Sequence, residues 1–140
     1  MKRAEQLVPL SHDHHQGLVV SQQALRLDDS ASDADIKQHW LKLKRCIEEQ
    51  AQHHFVIEEQ YLLEPLAQLE GNDLMVQRIY HEHKQLCSFA SQEIKQSLST
   101  LKEAAALLKA HIKYEERELF AKAQEVFTTE QLDRLLKAHG

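Results

Sequence analysis

A chain of 140 residues suits one domain that buries a core without disulfides, and three Gly, two Pro and 6% aromatics beside abundant Ala, Leu, Gln, Glu and Lys describe long helices rather than strands. A formal net charge of -5 and a sequence pI near 6.0, with Lys and Arg scattered along the chain, exclude the basic field of a nucleic-acid binder. No apolar run approaches the roughly 18 residues of a membrane span, Met1-Lys2-Arg3-Ala4-Glu5 leads into polar residues, and Cys46 and Cys87 form no disulfide or thiolate-metal motif, so a cytoplasmic protein is expected.

Taken in chain order, a first helix is expected with Ser11 as N-cap, running to about Leu27 before Asp28-Asp29-Ser30 breaks the pattern. The second starts near Ser32, with Asp35 as a weak capping partner, and continues through Trp40, Leu43, Ile47, Ala51, His54, Glu58 and Tyr61 until Pro65 ends or kinks it. Gly71-Asn72-Asp73 is the clearest turn, with Asn72 or Asp73 capping a third helix striped by Val76, Ile79, His83, Leu86, Ala90, Ile94 and Leu98. Thr100-Leu101-Lys102-Glu103 reads as a capping box for a fourth helix striped by Ala104, Leu108, His111, Glu115 and Leu119. A short last helix follows Thr128, with Gln131 completing another box and Gly140 at its end. No internal repeat or low-complexity tract stands out. Short turns between long helices imply antiparallel neighbours, so residues 1–140 are expected to form a single all-α, up-down-up-down four-helix bundle with a short C-terminal helix.

Ten histidines are the compositional outlier. The helical period assigns His54, His83 and His111 to interior stripes, and His14 is the best inward candidate among His12, His14 and His15, with Gly17 one turn on giving room for close packing. Glu58 and Glu115 each follow an inward histidine by one turn on the same face, so each pair can ligate one metal, or the carboxylate can bridge two. Counting from the expected turns, the histidines fall near one level of the bundle. Buried carboxylates are costly unless metal, protons or hydrogen bonds compensate them. Imidazole with carboxylate suits iron, manganese or zinc; six ligands exceed a tetrahedral structural zinc and leave two octahedral ions with open positions. Glu59 and Glu116 are expected at the surface or as hydrogen-bonding support, His53 and His81 off the stripes, and Cys46, Trp40, Phe55 and Phe120 in packing roles.

Leu10-Ser11-His12-Asp13-His14-His15, His53-His54-Phe55-Val56-Ile57-Glu58-Glu59, Glu82-His83 and His111-Ile112-Lys113-Tyr114-Glu115-Glu116, with Leu119-Phe120 behind, resemble the hemerythrin-like, histidine-histidine-glutamate cation-binding family across nearly the whole chain. The resemblance implies a non-haem di-iron site, with an oxo or hydroxo bridge and with zinc or manganese as substitutes. Its nitrogen ligands would be His14, His54, His83 and His111, and Glu58 and Glu115 its bridging carboxylates. It further implies a small diatomic partner, O2 or NO, bound at an open iron position. The third helix departs from the oxygen carriers' pattern: Ile79 precedes His83 and Cys87 follows it, so a seventh ligand is unassigned. An enzyme of peroxidase, oxidase or iron-centre repair type is the alternative, and a metal-free interaction bundle the third.

Overall fold

Ser32 accepts the Asp35 N–H at the start of α2 (Asp33–Glu49), as its sequence position predicts. The computed structural model describes residues 2–91 and 93–140. Its other helices are α1 (Val8–Leu25), α3 (Phe55–Glu58), α4 (Glu64–Ala67), α5 (Asp73–Phe89), α6 (Leu98–Tyr114), α7 (Phe120–Val126) and α8 (Thr129–His139). α2, α3 and α4 are one continuous rod, interrupted only by wide turns at Gln50–His54 and Glu59–Leu63 in which the closing N–H reaches back five residues. A third wide turn, Glu115–Leu119, joins α6 to α7 in the same manner. With α1 and α5 these rods make four, and α1 packs on α2 and α6 while α5 packs on the other sides of the same pair.

Several boundaries differ from expectation. α1 starts at Val8 after a tight turn at Glu5–Leu7, with Pro9 in its first turn, so Ser11 is not a cap but lies inside the helix and donates its hydroxyl to Glu116 at 2.9 Å. Pro65 does not end the second rod: it falls in the first turn of α4, just after a wide turn, where its missing N–H costs no helical bond. Asn72 precedes α5 without capping it, and instead donates to Leu66 O and Leu69 O, satisfying the end of the previous rod. α5 stops at Phe89, short of Ile94 and Leu98, and the capping box of α6 is Ser97 with Thr100 rather than Thr100 with Glu103. The Thr128–Gln131 box and Gly140 bound α8 as expected.

Two apolar clusters fill the interior. One contains Leu10, Ile57, Leu62, Ile79, Leu119 and Phe120, closed by Leu132 and Leu135 of α8. The other contains Ala24, Trp40, Ile47, Leu86, Leu101 and Leu108. Along successive rods the chain passes from the first cluster to the second and back again, which is the alternation of an up-down-up-down four-helix bundle. On every rod the inward histidine sits at the changeover. Among the described residues there is no strand, and no helix is long and apolar enough to cross a membrane.

Candidate metal centre

Between the two apolar clusters lies a polar layer. His14, His54, Glu58, His83, His111 and Glu115 are all buried there, Glu58 and Glu115 completely. All six residues predicted from the stripes thus meet at one level. His14 is the inward residue of its trio; His12 and His15 are exposed. His81 is exposed as expected, and the exposed His53 bonds to His139 O at 2.9 Å.

The six divide into two sets that share both glutamates. His14, His54, Glu58 and Glu115 offer donor atoms within 4.8 Å of one another, and so do Glu58, His83, His111 and Glu115. Each carboxylate turns one oxygen to each set. Glu58 Oε2 faces His54 Nε2 at 3.0 Å while its Oε1 faces His83 Nε2 at 3.1 Å; Glu115 Oε1 faces His14 Nε2 at 2.8 Å while its Oε2 faces His111 Nε2 at 3.3 Å.

A ring of four outer carboxylates sets the tautomers. Nδ1–H of His14 donates to Glu116 at 2.6 Å, that of His54 to Asp13 at 2.9 Å, that of His83 to Glu59 at 2.7 Å and that of His111 to Glu82 at 2.8 Å. A carboxylate only accepts, so each Nδ1 carries the proton and every Nε2 is the atom turned inward. Two rings are also held flat against aromatics: Phe55 stacks on His83 with centroids 3.9 Å apart, and Phe120 on His14 at 5.1 Å. Both phenylalanines are buried as expected, yet their packing partner is an imidazole.

The family model of the hemerythrin HHE cation binding domain matches residues 6–123, the stretch that holds all of these imidazoles and carboxylates. The chain belongs to that family. No curated protein and no solved structure matches it significantly. Family membership and the buried histidine–glutamate cluster make this hemerythrin-like chain a metal-binding helical bundle.

The hemerythrin-like layer is built twice over. An acidic residue precedes an inward histidine in Asp13-His14 and again in Glu82-His83; His54 with Glu58-Glu59 recurs at one constant offset as His111 with Glu115-Glu116. The first pair and the second rod form one half, the third and fourth rods the other. The repetition was not legible in the sequence because only these few positions recur, and the residues between them follow the packing of different neighbours.

Metal fits the donor set on an observation independent of family. Glu58 Oε2, Glu115 Oε2 and His111 Nε2 are buried without a hydrogen-bond partner, although histidine nitrogens lie close to both oxygens. His14 Nε2 and His54 Nε2 stand 3.1 Å apart, close enough that both would reach one ion. Without a cation, burial favours neutral rings, but the carboxylates prevail: Glu58, Asp13 and Glu115 hold His54 up at about 10, and Glu115, Glu58 and Glu59 hold His83 up at about 11. His14 and His111 are raised for the same reason. Burial and the neighbouring Glu115 charge push Glu58 upward, yet His54 and His14 bring it below its ordinary value, and Glu115 is held lower still by His111. The cluster therefore seeks positive charge at its centre, which protons supply in the metal-free protein.

Glu59 and Glu116 hydrogen-bond to the inward His83 and His14, one of the two roles expected of them. The roles of Asp13 and Glu82 were not read from the sequence; the signal available was their place immediately before an inward histidine. His139, whose Nε2–H donates to Asp13 at 2.8 Å, carried no sequence signal at all.

Proposed function

We propose that the protein binds two iron ions and uses the reduced pair to bind a small diatomic ligand, O2 or NO, in sensing, storage or stress response. His14 and His54 would hold one ion and His83 and His111 the other, with Glu58 and Glu115 available to both. The observation that carries this assignment is the orientation of the two glutamates, each with one oxygen toward each histidine pair. Residues 1–140 act as a single domain, in the cytoplasm, where the unpaired Cys46 and Cys87 stay reduced. No nucleic acid and no membrane takes part, in keeping with the acidic balance.

The bound pair supplies electrons and a coordination position open to a diatomic ligand, since two histidines and two shared carboxylates leave octahedral ions unsaturated. The chain supplies the rest. Outer carboxylates keep the Nδ1 protons in place and strengthen each Nε2 as a donor. Phe55 and Phe120 fix ring planes and, with the apolar clusters above and below, keep bulk water out of the layer.

Elemental analysis of protein purified from iron-replete cells tests the proposal, with two irons per chain expected. Less than one transition metal per chain after anaerobic iron loading would remove it in favour of a metal-free bundle. Absorption spectra of the reduced protein under O2 or NO, set beside turnover assays with peroxide and a reductant, separate a binder from an enzyme.

A further inference from the structure

The four quadrants of the centre are equivalent in their inner and outer residues but differ one layer further out. Glu116 is tied to Arg3 at 3.2 Å and to Ser11; Glu82 is tied to Arg78 at 3.2 Å, whose guanidinium lies 3.6 Å over Tyr114; Asp13 is tied to His139. Glu59 has no basic partner except His83 among the described residues; its side chain is 37% exposed, against 32% for Asp13, 29% for Glu116 and 10% for Glu82, so the missing tie and not exposure sets it apart. It lines a groove of about 480 Å³ whose walls include Phe55, Val56, Tyr80, His83 and Cys87, so open space reaches a ligand histidine. Another cavity that reaches one, beside His54, is about 90 Å³ and is backed by the tied Asp13 and by Gln50.

We propose that this groove is the route by which metal cations and small ligands reach and leave the centre, with Glu59 the positioning residue whose bond to His83 opens to admit them. The proposal rests on the two-metal assignment above. A carboxylate at the mouth of a concave site whose one basic partner among the described residues is His83 is free to attract cations from solution once that bond opens. Of the four outer carboxylates Glu59 alone, among the described residues, is held by no second basic group, so its bond to a ring is the easiest to open. The ion held by His83 and His111 therefore exchanges first, and the ion held by His14 and His54, whose outer carboxylates are clamped by residues near both ends of the chain, exchanges last.

Cys87 provides the test. It is exposed and lines the groove, whereas Cys46 is only partly exposed; burial raises both thiols, that of Cys46 to about 11, so a bulky maleimide favours Cys87 and blocks the groove. Iron-loaded protein so labelled should give up metal to a chelator at least about 10-fold more slowly than unlabelled protein, and Cys87→Ser treated with the same reagent should match the unlabelled rate. Glu59→Gln should speed release of one of the two ions by about 10-fold, the scale of losing an outer carboxylate, and leave the other unchanged. Equal release from labelled and unlabelled protein, or Glu59→Gln leaving both rates untouched, would overturn the route. Unlabelled protein that never holds two metals would instead remove the assignment beneath it. The labelling arm does not use Glu59→Gln, so it stands even if that variant folds poorly.

Discussion

Gly17 lies in α1 one turn beyond His14, facing the fourth rod, and a Cβ placed there would stand 2.7 Å from Ile112 Cδ1 and 3.0 Å from Gln50 Nε2. Ile112 is fully buried, so its terminal methyl has little room to retreat. In an exposed helix, Gly→Ala would stabilise by about 1 kcal/mol through backbone entropy. Here the added methyl overpacks a closed contact, at a cost of about 1–3 kcal/mol. Gly17→Ala is therefore expected to destabilise the metal-free protein by about 1 kcal/mol, and to weaken metal binding because α1 carries His14 outward as it yields. A double-mutant cycle isolates the cause. Ile112→Val removes the clashing methyl; alone it should cost about 0.5–1.5 kcal/mol, but on the Gly17→Ala background it should cost nothing or stabilise, a coupling of about 1–2 kcal/mol. Denaturant unfolding of the four metal-free proteins reads this directly. Additive effects, or a Gly17→Ala protein more stable than the parent, would refute the claim that α1 and α6 need a glycine there to approach.

Two further expectations concern metal. Ala at His54 or at His111 should abolish stable loading of the pair, while His53→Ala, one residue away, should leave metal content nearly intact; elemental analysis after anaerobic loading decides, and the reverse ranking would place the wrong face of the second rod inward. The pH dependence follows from the raised imidazoles: a ring whose proton is held up to about 10 at His54 and about 11 at His83 is protonated at neutral pH, and the metal must displace that proton. Metal affinity should therefore rise with pH across the neutral range, and titrations at pH 7 in buffers of different ionisation enthalpy should register proton release. Uptake without proton release would contradict it.

The inner residues were legible because helical phase is a local property. Ile47, Ala51, His54 and Glu58 share a face by spacing alone, as do Leu108, His111 and Glu115, and the amphipathic stripe forces that face inward whatever the neighbours are. Helix ends were less legible. Ser11 has the chemistry of a cap, but packing of Leu7 and Leu10 into the core draws α1 back to Val8, and the Ser11 hydroxyl is used across the bundle instead. Likewise Thr100 and Ser97 are both capable caps, and the chain's path from α5 selects Ser97.

The amino-acid order by itself determined four helical rods, the inward phase of four histidines and two glutamates, and the approximate level at which they meet, since each follows from the 3.6-residue period and the length of the turns. Only the tertiary structure decided which acidic residue orients which ring. Asp13 serves His54 and not its neighbour His14, and Glu82 serves His111 and not His83. Those pairings cross between rods, and they depend on the rotation and separation of packed helices, which no single helix's sequence contains. The same is true of His139, brought to Asp13 by the docking of α8, and of Glu59, paired with His83 beside open space.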